Sequence, residues 1–184
     1  MSRMKIAMVV GSSRTGSLNE KLARAVAALA PDTLEFERVR IDDIPHYNGE
    51  LEGARPAEVT RFTDQIRAAQ GVFFVTPEYN RSIPGMVKDA IDWGSKPMGQ
   101  NVWAGKTAGM MGTSPGGIGT AVGQQHLRQV LSVLGVTVVP AEAYIAFSQP
   151  DLISDSGEVS ADATRTFIRA YVERFADLTR RLAS

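Results

Sequence analysis

Two loop segments hold most of the side chains in this sequence that could do chemistry. The first, residues 11–19, reads Gly-Ser-Ser-Arg-Thr-Gly-Ser-Leu-Asn and joins a predicted strand to a predicted helix. The start of a helix offers unpaired N–H groups and the positive end of the helix dipole, and both favour an anion. Four hydroxyl side chains and the planar, charged donor fork of Arg14 add to them. The segment therefore predicts a phosphate site. The plainer alternative is capping of the helix by Ser17, which needs only one hydroxyl.

The second loop, residues 76–85, reads Thr-Pro-Glu-Tyr-Asn-Arg-Ser-Ile-Pro-Gly. Its two prolines stiffen the backbone and hold its N–H and C=O groups in fixed directions. Tyr79 offers a ring face, and Asn80 offers a donor and an acceptor. A flat heterocycle with polar edges suits such a loop, although a rigid loop with Tyr79 packed on the core explains the same residues.

A third loop, residues 113–119, reads Thr-Ser-Pro-Gly-Gly-Ile-Gly. Its glycines favour close approach of the backbone to a flat ring. Neither this loop nor the first one has the spacing of a dinucleotide fingerprint in the right place, and the first is no Walker loop. The three loops are the least ordinary stretches of the sequence, so a shared site is the working hypothesis.

The strands and helices predicted between these loops determine where the loops lie. Apolar runs predict five strands and periodic segments predict five helices: strands at 4–10, 34–41, 72–75, 106–112 and 136–139, and helices at 17–30, 56–70, 84–95, 119–134 and 159–183. The last helix is predicted to bury Phe167, Tyr171, Phe175 and Leu178. This alternation indicates an α/β fold with a five-stranded parallel sheet, helices on both faces, and a single domain over residues 1–184. Ligands bind beyond the carboxyl ends of such strands, where all three loops lie.

Composition narrows the class of protein further. Twenty Lys plus Arg balance twenty Asp plus Glu among 184 residues, so no net charge draws the chain to nucleic acid or to an anionic membrane. The absence of cysteine excludes disulfides and a thiolate nucleophile, and it suits a cytoplasmic location. The two histidines, His46 and His126, stand apart without carboxylate spacing, so no metal site is predicted. No catalytic acid or base is evident either.

The two motifs together resemble the NADPH-dependent FMN reductase family. The matching residues are Gly-Ser-Ser-Arg-x-x-Ser-x-Asn at 11–19 and Thr-Pro-Glu-Tyr-Asn-x-Ser-Ile-Pro-Gly at 76–85, followed by Lys-Asp-Ala-Ile-Asp-Trp at 88–93 and Gln-His-Leu-Arg-Gln-Val-Leu at 125–131. The resemblance runs to about residue 145. It implies a flavodoxin-like three-layer sandwich, and the family includes bacterial quinone and chromate reductases.

The resemblance also implies roles for individual residues. Those around the FMN phosphate would be Ser12, Arg14, Ser17, Leu18 and Asn19. Those along the isoalloxazine would be Pro77, Glu78, Tyr79 and Asn80, largely through main-chain groups, with Ser114, Gly116 and Gly117 from the third loop. Arg128 and Glu142 match positions that meet across subunits in chromate-reductase relatives, which implies a homodimer or homotetramer.

The expected activity is electron transfer from NADPH or NADH, through FMN, to a small acceptor: a quinone, a free flavin, chromate or another oxidised metal ion. The cofactor carries the redox chemistry, and a ping-pong exchange of nicotinamide for acceptor is expected. Three alternatives stay open: a flavodoxin-type electron carrier, a phosphate-ester-binding α/β enzyme without flavin, and a regulatory FMN-binding protein without turnover. Neutral charge argues against an acidic carrier.

Overall fold

The computed structural model describes residues 3–147 and 149–183, and within them strands and helices alternate. The strands are β1 (Met4–Val10), β2 (Leu34–Val39), β3 (Gly71–Val75), β4 (Thr107–Ser114), β5 (Thr137–Val138) and β6 (Tyr144–Ala146). The helices are α1 (Leu18–Ala28), α2 (Ala57–Ala68), α3 (Gly85–Gly94), α4 (Ala121–Val133) and α5 (Asp162–Leu182), with a 3-10 helix at Gly49–Ala54. The first helix is shorter than the predicted 17–30 at both ends. Ser17 is its N-cap and Leu29 is its C-cap.

The strands pair in parallel in the order β2-β1-β3-β4-β5, with β6 also paired to β4. This is the strand order of flavodoxin-like sheets, so the predicted fold class is confirmed. The central strands β1 and β3 are apolar and buried on both faces, which gives a core above the sheet and a core below it. Because all strands run the same way, the loops that follow β1, β3 and β4 share one edge of the sheet.

The fifth position of the sheet differs from the prediction of one continuous strand. β5 pairs with β4 at Thr107 and Ala108, and β6 pairs with the same edge at 112–114. Between β5 and β6, residues 140–142 do not continue the pairing with β4. The N–H of Met110, in β4, instead donates to the buried hydroxyl of Tyr171 at 3.1 Å. Burial raises the pKa of Tyr171. A side chain from α5 thus supplies the partner that the interrupted strand cannot.

The last helix buries a stripe that is shifted from the predicted one. Tyr171 and Phe175 are buried as expected, and Leu178 is partly buried, but Phe167 is 43% exposed while its neighbour Ile168 is fully buried. The prediction for Phe167 was wrong because the buried arc of α5 is centred on Ile168, Val172 and Phe175, and Phe167 lies at the edge of that arc. The helix also begins at Asp162, three residues later than expected.

The segment between β6 and α5 packs on α1. Leu152, Ile153 and Val159 are buried in the same core as α1, and Lys21 of α1 pairs with Asp155 at 2.9 Å. No element was predicted for residues 147–158, and the helix predicted from residue 159 begins only at Asp162. None of the helices within the described ranges is both long and apolar enough to cross a bilayer.

Candidate cofactor site

A cleft of about 300 Å³ opens at the carboxyl edge of the sheet, where the three loops converge. Its walls come from all three: Ser12, Arg14, Ser17, Leu18 and Asn19 from the first, Pro77, Glu78 and Tyr79 from the second, and Thr113, Ser114 and Pro115 from the third. The volume lies at the lower end of the range for small-molecule and cofactor sites. The shared site expected from the loops is therefore present as a cavity.

The first loop leaves an unusual number of backbone donors free. The N–H groups of residues 12–16 and of Leu18 have no partner in the part of the chain that the structure describes. Ser12 is buried and Leu18 is partly buried, whereas residues 13–16 are exposed. Unpaired N–H groups at the start of a helix, beside a cleft, favour an anionic acceptor. Ser12 and Ser17 are almost fully buried there, whereas Arg14 is exposed with no ionic partner within the described ranges. This combination fits a phosphate dianion.

Ser17 and Asn19 show that capping and phosphate binding are compatible. The Ser17 hydroxyl accepts from the N–H of Asn19 at 3.2 Å, so it caps α1. The same hydroxyl keeps its own proton to donate into the cleft. The Asn19 amide bonds the backbone of Thr113 twice, donating to its C=O and accepting from its N–H, both at 3.1 Å. Asn19 thereby fixes the start of α1 against the end of β4.

The second loop is a tight hairpin with a mirror-image turn. Tyr79 and Ser82 exchange two backbone hydrogen bonds, of 2.8 and 2.9 Å, and the two residues between them have positive φ: Asn80 at 50° and Arg81 at 67°. Positive φ is unfavourable for a residue such as arginine. Such strain persists only where the surroundings hold it, and it concentrates at functional sites.

Glu78 supplies part of what holds that hairpin. Its carboxylate accepts from the N–H of Gly123, in the first turn of α4, at 2.8 Å, and from Arg81 at 3.1 Å. A side chain on Gly123 would press on the carbonyl oxygen of Ser82 and on Glu78 itself. The Glu78 carboxylate is thus occupied within the protein, which leaves its backbone for the cleft, as the expected main-chain contacts require.

Main-chain donors also remain for the polar edge of a ring. In the second and third loops, the N–H groups of Glu78, Asn80, Gly116 and Gly117 are among those without a partner in the described part of the chain. Asn80 lies at the tip of the hairpin, and the two glycines lie in the exposed third loop, so none of these three lines the cleft. Thr113 and Pro115 do line it and were missed by the sequence analysis; adjacency to Ser114 was the only signal for them.

Comparison with known proteins decides the family. The model of the NADPH-dependent FMN reductase family matches residues 4–150. The chain belongs to the NADPH-dependent FMN reductase family. It is 46% identical to a quinone reductase of Pseudomonas putida over 173 residues, covering 93% of this chain and 92% of that one. It is 41% identical to a 2-hydroxy-1,4-benzoquinone reductase of Burkholderia sp over 174 residues, covering 94% of each.

A solved structure agrees with these sequence relatives. FerB from Paracoccus denitrificans, described as a flavoenzyme NAD(P)H:(acceptor) oxidoreductase, superposes with a TM-score of 0.92 at 41% identity, covering 97% of this chain and 98% of that chain. This FMN reductase family member is accordingly an oxidoreductase that uses FMN as cofactor and NAD(P)H as co-substrate. The expected resemblance, fold class, enzyme class and cofactor are confirmed.

The two residues expected at a subunit interface each have hydrogen-bond partners within the protomer. Arg128 donates to the carbonyl oxygens of Val139, at 2.8 Å, and of Ala141. The Glu142 carboxylate accepts from the side-chain amide of Gln125 at 2.5 Å and from Tyr144 at 3.4 Å. Arg128 therefore anchors the bend between β5 and β6, where those two carbonyls lack strand partners, and its role between subunits stays a prediction.

Proposed function

We propose that this FMN reductase family member passes electrons from NAD(P)H to quinones through FMN held in the three-loop cleft. The observation that carries the proposal is the run of free N–H groups beside the buried hydroxyls of Ser12 and Ser17 at the cleft, with the free N–H of Glu78 also on its wall. The quinone as acceptor is supported by relatives of 41% and 46% identity that are named as reductases of quinones. Free flavin, chromate and other metal ions stay predictions of the family resemblance alone.

Each loop has a separate part in this proposal. The first loop binds the phosphate through its N–H groups, the hydroxyls of Ser12 and Ser17, and Arg14, while Leu18 packs beside them and Asn19 holds the loop in place. The second loop would present Pro77, Tyr79 and the backbone of Glu78 to the ring, and the contact expected from Asn80, at the tip of the hairpin, stays a prediction. The third loop would contact the ring through Ser114, on the wall of the cleft, and the contacts expected from Gly116 and Gly117 stay predictions.

When bound, FMN supplies the two-electron chemistry that connects the nicotinamide to the acceptor. The protein positions the ring and offers fixed donors where negative charge grows upon reduction: the N–H groups of Glu78 and Asn80, or those of the third loop. Tyr79 is 53% exposed at the mouth of the cleft, which leaves one side open to nicotinamide and acceptor in turn. That shared opening suits the expected ping-pong order.

The visible spectrum of the purified protein tests this proposal. We expect flavin absorption bands that bleach when NADPH is added without oxygen and return when benzoquinone follows, with many turnovers per protein. If NADPH bleached the flavin bands and neither quinone, free flavin nor chromate restored them, the protein would instead be an electron carrier or a regulatory FMN-binding protein. A colourless protein that takes up no added FMN would overturn the proposal and leave the cleft to another phosphate ester.

The protein is also proposed to work as a homodimer or homotetramer in the cytoplasm. An open groove of about 650 Å³ lies between α3 and α4 beside the hairpin, and it is lined partly by Ile83, Val130 and the 82% exposed Val133. An apolar groove of this kind suits contact with a second copy. Light scattering on the 19.9 kDa chain is expected to give twice or four times that mass; a monomer at micromolar concentration would contradict it.

A further inference from the structure

Tyr79 offers the cofactor cleft its side chain, because its main-chain groups are already engaged. Its N–H donates to the carbonyl oxygen of Ser82 at 2.8 Å, and its own carbonyl accepts from the N–H of Ser82 at 2.9 Å. The residue nevertheless lines the cleft and is 53% exposed at its mouth. Any part that Tyr79 has in the chemistry must therefore come from its ring and its hydroxyl.

The hydroxyl of Tyr79 differs from those of the other tyrosines in the chain. The hydroxyls of Tyr47, Tyr144 and Tyr171 each make a hydrogen bond within the protomer. The hydroxyl of Tyr79 makes none with the residues that the structure describes. It thus keeps its proton for a molecule that enters the cleft.

The other donors on the cleft wall are used within the protein or are poor acids. The hydroxyls of Thr113 and Ser114 each donate to a backbone carbonyl, both at 2.8 Å. Arg14 keeps its proton at any physiological pH, and the Glu78 carboxylate accepts from two donors of the protein itself. The serines of the first loop are alcohols, which are much weaker acids than a phenol. Among the described side chains on this wall, Tyr79 alone combines a phenolic proton with freedom from internal bonds.

One face of α4 fixes the hairpin that carries Tyr79. The N–H of Gly123 holds the Glu78 carboxylate at 2.8 Å on one side of Tyr79, and the ring Nδ1 of His126 lies 3.1 Å from the Ser82 hydroxyl on the other. Gly123 and His126 are three residues apart, so they share a face of the helix. Because its turn is attached at both ends, Tyr79 is positioned before a ligand arrives, which lowers the entropic cost of a reaction there.

We propose that the Tyr79 hydroxyl is the acid that protonates the quinone. The inference rests on the proposed function, because it needs a quinone at the mouth of the cleft. The overall reaction converts a quinone, NADPH and one proton into hydroquinone and NADP+. NADPH supplies an electron pair and one hydrogen, so the second hydrogen must arrive as a proton from another source.

Transfer of that proton breaks the O–H bond of Tyr79 and forms an O–H bond at the quinone oxygen that has gained negative charge. The electron pair of the broken bond stays on the Tyr79 oxygen, which recovers a proton from water because the residue is half exposed. Hydroquinone is itself a phenol, so the proton moves between groups of the same chemical class. Such a match favours general acid catalysis.

The test separates the two halves of the reaction by stopped-flow absorbance, on holoenzyme saturated with FMN. Tyr79→Phe, which keeps the ring, is expected to slow reoxidation by benzoquinone about thirtyfold. This is less than the loss of about a hundredfold that is common for an acid, because water at the open mouth replaces part of its action. Reduction by NADPH needs no proton from the protein, and ferricyanide accepts electrons alone, so both of these rates should stay within about twofold of wild type. The matched control is Tyr144→Phe, which removes the hydroxyl of a 41% exposed tyrosine and should leave all three rates unchanged.

Two further measurements distinguish an acid from a structural residue. The rate lost in Tyr79→Phe should return as imidazole buffer is raised at constant pH and ionic strength, because imidazolium supplies the missing proton, whereas wild type should not respond. Binding of 4-nitrophenolate needs no turnover and is followed by its absorption band in oxidised holoenzyme without nicotinamide. It should be about tenfold weaker in Tyr79→Phe, which lacks the hydrogen bond to the phenolate oxygen.

Equal slowing of all three rates in Tyr79→Phe would mean a structural role for the hydroxyl and would overturn the proposal. So would unchanged reoxidation by benzoquinone, a slow rate that imidazole does not raise, or equal binding of 4-nitrophenolate. If the proposed function itself fails, benzoquinone does not reoxidise even the wild-type protein, which is a different result.

Discussion

Asn19→Asp is expected to raise the dissociation constant for FMN about a hundredfold, equivalent to ~2.7 kcal/mol. The side chain is 4% exposed and bonds both the C=O and the N–H of Thr113. A carboxylate keeps the bond from the N–H but sets its second oxygen against the Thr113 carbonyl. It also adds a negative charge at the foot of the loop that must receive a phosphate dianion, where little water screens it.

The measurement is a fluorescence titration of FMN into the apoprotein, with urea unfolding followed in parallel. Asn19→Ala loses both bonds without adding charge, so its dissociation constant is expected to lie between those of wild type and Asn19→Asp. Asn48→Asp makes the same change at an exposed cap, where the oxygen accepts from the N–H of Glu50, and should bind FMN normally. A change of less than about fivefold in Asn19→Asp would show that the first loop does not hold the phosphate.

Gly112→Ala is expected to lower the free energy of unfolding by about 3 kcal/mol and to prevent FMN binding. Gly112 lies in β4 beneath the cleft, and an added Cβ would overlap the Thr120 hydroxyl and the carbonyl oxygen of Thr76. Neither can withdraw cheaply, because the second is backbone, and Thr120 is fully buried at the start of α4. The shift would separate the second loop from the third.

Thermal unfolding checks this expectation, with a fall in Tm of about 9 °C for a chain of this size. Gly53→Ala is the matched control, since its Cβ would meet nothing within 4 Å and its φ is not positive, so its Tm should stay within about 2 °C of wild type. If Gly112→Ala bound FMN with unchanged affinity and stability, the close contact between β4, the second loop and α4 would not matter to the site.

Local sequence was enough to predict the architecture and the edge of the sheet at which the three loops meet around a cleft. Runs such as Met4–Val10 are strands because they are apolar, short and ended by Gly11, and alternation with periodic helices leaves a parallel sheet as the solution. Once strands are parallel, loops after β1, β3 and β4 must share an edge. The phosphate site that we propose at residues 11–19 could be inferred from sequence because its hydroxyls, its arginine and a helix start are adjacent in the chain.

Contacts between residues distant in the chain decided the rest. The Glu78 carboxylate turns away from the cleft because its partner, the N–H of Gly123, is 45 positions on. Thr113 lines the cleft because Asn19, 94 positions earlier, pins it there. Where the fifth strand is interrupted, the N–H of Met110 donates to the hydroxyl of Tyr171, 61 positions on. Phe167 is exposed because α5 packs on the sheet through the arc of Ile168, Val172 and Phe175. Periodicity and composition record what a residue does with its neighbours in the chain, whereas these pairings exist only after the sheet has brought its edges together.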